Sequence, residues 1–446
     1  MRKLPSGKQN KAVAAAPGMV ALLVLTSALA GCSGSQGGAA APEAPKDKPA
    51  AIDTTPVEIN IYSNFAETAV DFEDIFVKPV KAKYPFITPK LTVPNANTTL
   101  EGLITAGQIP DMIILSGLNL FTTLDLGVMS DLSPLIKKNN LDLNRFEPAY
   151  LDLVKAYSSK GEIFALPYTA NFNALFYNKD IFDKFGVSYP KDDMLWDDVI
   201  ELSKKVSRTA DGINFRGIDP ENLPRLVGGW SLPFTDPKTE QANFDSWKPA
   251  FDLLQKVIAV PGNAPEKVIR FDKAFQEQKT VAMRATTNMI KELQSAADKG
   301  SPVNWDMVTY PKVDAKQNHF GVAGARAIMI TPNSKVKEQA FKVIETLLSN
   351  EVQVTQNKLG VMTPLASQDV QKTFGTGIEF LKGKNLQAAY KLKPGFRVIT
   401  RYDNIAGNTA FDNSLKLYTG ADVNTVIRQA NEELNKKIAE EKAKKK

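Results

Sequence analysis

The sequence predicts an α/β protein of two lobes, and three observations carry that prediction. The chain has 446 residues, and the part that follows its leading segment, about 390 residues, is too long for one hydrophobic core. Strand, helix and strand patterns succeed one another at the spacing of βαβ units, which calls for a partly parallel sheet. No internal repeat interrupts them, and no low-complexity stretch beyond the first 56 residues.

The elements follow in order. Residues 1–31 read as a secretory signal. Arg2, Lys3, Lys8 and Lys11 form a basic start without acids, and AVAAAPGMVALLVLTSALA is small and apolar. Pro17 and Gly18 break that run and no stop-transfer charges follow it, so cleavage is expected rather than a permanent span. Residues 32–56 hold Gly, Ala, Pro, Ser and charge but almost no large apolar side chain, the composition of a flexible tether. VEINIYS (57–63) alternates like a strand. DFEDIFVKPVKAKYP spaces Phe72, Ile75, Phe76 and Val80 as a helix does, and MIIL (112–115) reads as a strand buried on both faces. FALPY (164–168) and NALFYN (173–178) have strand character. DDMLWDDVIELSKKVSR predicts a helix capped by Asp192 or Asp193, with Leu195, Val199, Leu202 and Val206 on one face. GARAIMITP alternates as a strand, and the helix after it turns Val336, Ala340, Val343, Ile344 and Leu347 inward. The last helix is amphipathic through Val423, Val426, Ile427, Ala430, Leu434 and Ile438, then wholly polar.

Scarcity excludes several function classes. The chain has one histidine and one cysteine. Zinc sites of Cys/His type are therefore excluded, and a Ser–His–Asp triad would rest on His319 alone. His319, in KQNHFGV, reads as a surface loop residue. No local arrangement stands out among the 49 acids, and DNSLKLYTGADVN does not have the spacing of an EF-hand loop, so neither a metal nor a cofactor is expected. The formal charge of +6 falls to +2 without residues 1–31, which gives no basis for nucleic-acid binding.

The motifs carry two resemblances. Leu29-Ala30-Gly31-Cys32 resembles the lipobox of bacterial lipoproteins, which implies that Cys32 carries a lipid and anchors the protein to the outer face of the cell membrane, in a Gram-positive bacterium. LPYTANFNALFYNKDIFDKFGVSYPKDDMLWDDVIELSKKV, FQEQKTVAMRATTNMI and GVAGARAIMITPNSKVKEQAFKVIETLLSNEVQVTQNKLGVMTP occur in the order found in the extracellular solute-binding proteins of ABC importers, in the sugar-binding group related to maltose-binding protein. That resemblance implies a periplasmic-binding-protein-like fold, with three inter-lobe hinge crossings near Pro167–Ala170, Tyr310–Phe320 and Gly360–Pro364 and a ligand cleft between the lobes. The N-terminal lobe is then 57–167 plus 320–362, and the C-terminal lobe 168–312 plus 363–446. The expected function is delivery of a carbohydrate, an oligosaccharide with or without a uronic acid, by a monomer to ABC permease subunits, without chemistry. Two other readings stay open: a secreted polysaccharide-degrading lipoprotein, and a receptor of the same fold for iron or phosphate.

A sugar site needs aromatic platforms and fixed donors and acceptors beyond the carboxyl ends of strands. Candidates at the strand ends are Tyr62, Ser63, Asn64 and Phe65, then Ser116 and Gly117. At the first crossing they are Tyr168, Asn171 and Phe172. Trp230, between glycines and before a proline, reads as half-exposed and matches the region where relatives place an aromatic under the sugar. Trp196, Trp247 and Trp305 read as structural. After Ala282-Met283 the family's Gly-x-Trp is replaced by Thr287-Asn288-Met289, so Arg284, Thr287 and Asn288 are candidates for a polar or anionic group, with Gly324 and Arg326 beside the second crossing. For either arginine the alternative is an ion pair with a local acid.

Overall fold

A computed structural model describes residues 52–444 apart from 66–70, 96–97, 119, 266, 269–272 and 323. Cys32, the signal and nearly all of the tether lie outside the described residues.

Two five-stranded sheets organise the chain. The first is built from β1 (Val57–Ser63), β2 (Ile87–Thr92), β3 (Met112–Ser116), β4 (Leu166–Ala170) and, much later in sequence, β11 (Ala325–Ile330). Its order is β2-β1-β3-β11-β4, with β2, β1 and β3 parallel and β11 antiparallel to both of its neighbours. The second sheet takes β5 (Asn173–Asn178), β6 (Arg208–Ala210), β7 (Ile213–Asp219), β8 (Val281–Thr287) and β9 (Trp305–Thr309) in the order β6-β7-β8-β5-β9. A short ribbon pairs β10 (His319–Val322) with β12 (Lys393–Gly395).

The hydrophobic pattern explains which strands are central. Met112, Ile113 and Ile114 of β3 are fully buried, and so are Ala174, Leu175 and Phe176 of β5. Continuous apolar runs of this kind fit only strands covered on both faces. Helices supply the cover. Helix α1 (Pro148–Lys155) packs on β4, and α2 (Trp196–Val206) lies on β7 so closely that a Cβ at Gly217 would stand 2.6 Å from the Ser203 Cα. Further along are α3 (Leu223–Val227), α4 (Lys248–Ile258), α5 (Ile290–Asp298), α6 (Lys337–Leu347) and α7 (Asn350–Lys358), then α8 (Asp403–Ser414) and α9 (Val423–Lys444). In α6 the residues Ala340, Val343, Ile344 and Leu347 have no exposed surface, and in α9 the six expected apolar residues are all buried. Each large aliphatic side chain removed from water in this way contributes about 1.5–3 kcal/mol.

Two expectations are corrected here. Neither Asp192 nor Asp193 caps α2. Asp192 accepts the Thr309 N–H of β9 at 2.9 Å and pairs with Lys391, while the N-cap is Leu195, whose N–H donates to the Asp198 carboxylate at 2.9 Å. An acid at the third helical position supplies the negative charge the helix start favours, which frees Asp192 to tie down an edge strand. His319 is not a surface loop residue. It is half-buried in β10, where its Nδ1 accepts the Gly321 N–H at 3.1 Å.

The chain passes between the sheets where a cleft needs it to. The short link Asn171–Phe172 carries it from β4 to β5. The return runs from β9 through β10 to β11, a longer passage than Tyr310–Phe320. After α7, Met362 meets Ala170 in an isolated bridge, with the Ala170 N–H donating to the Met362 carbonyl at 2.7 Å.

Candidate functional site

The carboxyl end of β3 is the place from which two cavities open, and Ser116 lines both. The first, of about 310 Å³, faces Ser116 and Leu118 of the first sheet with Asn222, Arg225 and Gly228 from α3 and its end, and with Phe234, Arg397, Asp403, Asn404, Asn408 and Phe411. Helical spacing explains the last group: 404, 408 and 411 fall on one face of α8. The exposed amides of Asn404 and Asn408 stand beside the half-buried Phe411 ring. Gly407 lies on the same stretch, and a Cβ there would sit 3.3 Å from the Phe234 ring.

Both guanidiniums that line this cavity are matched by an acid. Arg225 donates from Nε to Glu221 at 3.0 Å and from Nη1 to Asn173 Oδ1 at 3.0 Å. Burial alone would raise the Glu221 pKa, but the charge and hydrogen bonds of Arg225, the Thr286 hydroxyl at 2.7 Å and the nearby Arg284 outweigh it and hold the carboxyl below its ordinary value. Arg397 pairs with Asp403, and its guanidinium lies 3.7 Å over the Phe234 ring. Thr400 completes the cradle by donating from its hydroxyl to Asp403 at 2.8 Å. Charges held in this way present fixed dipoles and hydrogen-bonding edges to the cavity rather than a net field.

The second cavity, of about 280 Å³, gathers many of the residues the sequence singled out. Phe65, Ser116, Asn171, Thr287, Asn288, Gly324 and Arg326 all line it, with Lys291, Glu292 and Gly360. The Arg326 guanidinium lies 4.2 Å over the Phe65 ring. Backbone pairing fixes the floor: the Asn171 N–H donates to the Gly324 carbonyl at 3.0 Å, and the Thr287 hydroxyl donates to the Phe172 carbonyl at 3.2 Å.

The remaining predicted contacts lie elsewhere. Tyr62, Ser63 and Phe172 are buried, with Phe172 edge-on to Phe374 at 5.6 Å between centroids. Tyr168 packs edge-on to Phe76 and closes a recess of only about 30 Å³, too small for a sugar ring. Gly117 is locked in the backbone: its N–H donates to the Ala325 carbonyl at 2.7 Å, and its own carbonyl accepts the Tyr157 hydroxyl at 2.8 Å. Asn64 is exposed but lines neither cavity, and neither does the half-buried Trp230 at the end of the turn after α3. Arg284 points to Asp219 at 3.2 Å in a buried pair, the structural alternative rather than a ligand contact. The end of β1 and the whole of β4 are buried residue after residue, so Tyr62, Ser63 and Tyr168 turn into packed surroundings whichever face they take. Trp196, Trp247 and Trp305 are buried as expected.

Sequence reasoning missed the group around Phe234, Arg397 and α8. The cluster Tyr402-Asp403-Asn404 is plain in the sequence, but nothing in its neighbourhood says that it faces Ser116. Among the described residues no cluster of His, Cys, Asp or Glu forms a metal site, and no helix is long and apolar enough to cross a membrane.

Known proteins share this architecture. A multiple sugar-binding protein of Streptococcus mutans is 26% identical over 73% of this chain and 66% of its own length. The ABC substrate-binding protein of Listeria monocytogenes in complex with cycloalternan superposes with a TM-score of 0.68 at 18% identity, covering 86% of this chain and 99% of that one. A Rhizobium etli sugar transporter protein in an open conformation gives 0.71 at 16% identity, covering 85% and 99%. The family model of the bacterial extracellular solute-binding proteins matches residues 69–354. Two lobes, a cleft between them and that match together make this chain a binding protein and not an enzyme, a member of the bacterial extracellular solute-binding family.

Proposed function

We propose that the protein binds a carbohydrate, an oligosaccharide, in the cleft and passes it unaltered to the permease subunits of an ABC importer. One observation carries the reading. Neutral amides and hydroxyls of Ser116, Asn222, Asn404, Asn408, Asn171, Thr287 and Asn288 accompany the aromatic rings of Phe234, Phe411 and Phe65 around two cavities that both border Ser116. Sugars present hydroxyl edges and apolar ring faces, and this lining answers both. Pairing of Arg225 and Arg397 with acids favours a neutral ring in the first cavity. Arg326 and Lys291 border the second, which is where a uronic acid would sit. The related sugar-binding protein of Streptococcus mutans supports the ligand class.

The lobes divide near 57–167 plus 320–362 and 168–312 plus 363–446, with the first boundary moved to 171–172 so that β4 stays whole in the first sheet. The protein works as a monomer tethered through lipid on Cys32 to the outer face of a Gram-positive cell membrane. A thermal-shift panel of neutral oligosaccharides, uronate-bearing oligosaccharides, inorganic phosphate and ferric ion tests the ligand. A ligand at a hundred times its dissociation constant adds about 2.7 kcal/mol, a readily measured rise in melting temperature. A rise with an oligosaccharide supports the reading. A response confined to phosphate or iron overturns it.

A further inference from the structure

Among the described residues three ion pairs join the halves: Glu147–Lys393, which ties the start of α1 to the ribbon strand β12, and two that lie beside the cavities. Asp71 precedes the helical turn Glu73–Val77, which packs with β2, α6 and α7 around the first sheet. Its carboxylate lies 3.4 Å from Nζ of Lys291, in the first turn of α5 after β8 of the second sheet. Lys291 also lines the second cavity. At the first cavity, Asp125 ends the helix Leu120–Asp125 that follows β3. Arg401 Nη1 reaches both of its carboxylate oxygens at 3.3 Å, and the Arg401 guanidinium stands 5.5 Å over Phe121 of that same helix. Arg401 leads into α8, which packs on α3 and α9 of the other half.

We propose that Asp71–Lys291 and Asp125–Arg401 form an electrostatic latch, one clasp at each side of the cleft, that biases the lobes toward closure and makes closure sensitive to salt. This inference rests on the hinged, sugar-binding reading and adds how its closure is set. Each partner rides on a different sheet, so opening about the crossings at 171–172, 310–324 and 359–363 separates both pairs at once. The side chains are between 31% and 45% exposed. That exposure keeps each pair weak, worth roughly a twofold to fivefold change in an equilibrium, and open to screening by salt. Weakness suits the role, because a buried clasp would hold the lobes shut against sugar entry and release. Neither Asp125 nor Arg401 lines the first cavity, so that clasp acts on lobe closure rather than on the ligand.

The test needs no sugar. Residues 33–446 contain no cysteine. The full chain carrying C32S therefore accepts a donor and an acceptor dye at K137C and K205C, exposed positions on opposite halves. Energy transfer is followed between about 20 mM and 0.5 M NaCl, a range over which the Debye length falls severalfold. The parent should show high transfer at low salt that declines as salt rises. D71N and R401Q should each shift the open-to-closed ratio by about twofold to fivefold, the pair together by about tenfold, and the double variant should lose most of the salt response. The charge swap D125R/R401D should return transfer toward the parent value, which a folding defect would not allow. Identical transfer and salt response in parent and double variant would overturn the latch, and so would failure of the swap to restore it. Either failure leaves the thermal-shift result on sugars untouched.

Discussion

Arg397 and Asp403 show what a single pair of residues does for this site. Both side chains are 7% exposed, and the Phe234 ring covers the guanidinium on one face. Removing one partner strands a buried charge. Asp403→Ala should therefore cost about 3–5 kcal/mol in urea denaturation, whereas Arg397→Met with Asp403→Leu together should cost less. Asn404 and Asn408 behave differently, because their amides are exposed. Asn404→Ala with Asn408→Ala should raise the Kd for the bound oligosaccharide at least tenfold, a loss of about 1.4 kcal/mol, with the melting temperature unchanged. His319 gives a pH prediction. Burial lowers its pKa from the ordinary 6.5, with Asp314 opposing the shift. The neutral ring is thus the folded form, so stability is whole above pH 6.5 and falls as pH drops through the lowered folded value. Denaturation at pH 8, 6.5 and 5 should show this loss, and His319→Asn should flatten it.

At the scale of elements, close packing explains where substitution is forbidden. At Gly217 an added Cβ would meet the Ser203 carbonyl oxygen at 2.5 Å, so α2 rests directly on the β7 backbone. Gly217→Ala should cost about 1–3 kcal/mol by forcing that helix away, measured as a lower urea midpoint. Strand and helix identities are legible in the sequence, because periods of two and 3.6 are local properties of the chain. In α9 every apolar residue singled out by spacing is buried. Caps are less legible. Asp192 and Asp193 have the right chemistry to start a helix, yet Asp192 is taken by the β9 edge and Asp193 adopts φ 66°. Competition for a side chain from a distant strand leaves no trace in neighbouring residues.

For the whole molecule, the proposed function requires two bodies to move about three passages of chain. A bound oligosaccharide should lower the radius of gyration in small-angle scattering as the lobes close, and an unchanged value would speak against the hinge. The proposed lipid anchor gives a second prediction at this scale: Cys32→Ala should release the protein from cell membranes into the medium, read by fractionation, because acyl chains on Cys32 would hold it there at about 0.8 kcal/mol per buried methylene. The second cavity is partly legible in the sequence, since Ser116, Asn171, Thr287 and Asn288 sit at strand ends or just beyond them. The first is not. Its walls come from residues near 116, 222–234 and 397–411, segments that have no common pattern and meet only when the two sheets face each other.

The sequence by itself determined the α/β class, most of the strand and helix order, and a composition of one histidine and one cysteine that leaves no Cys/His zinc site. Those depend on composition and short-range periodicity, which the backbone reads locally. Tertiary structure alone decided that Tyr62, Tyr168, Phe172 and Arg284 are buried, and that Phe234, Arg397 and Asn404 line one cavity. Burial and pairing are set by the chain's passages between the sheets, and these bring together side chains hundreds of residues apart.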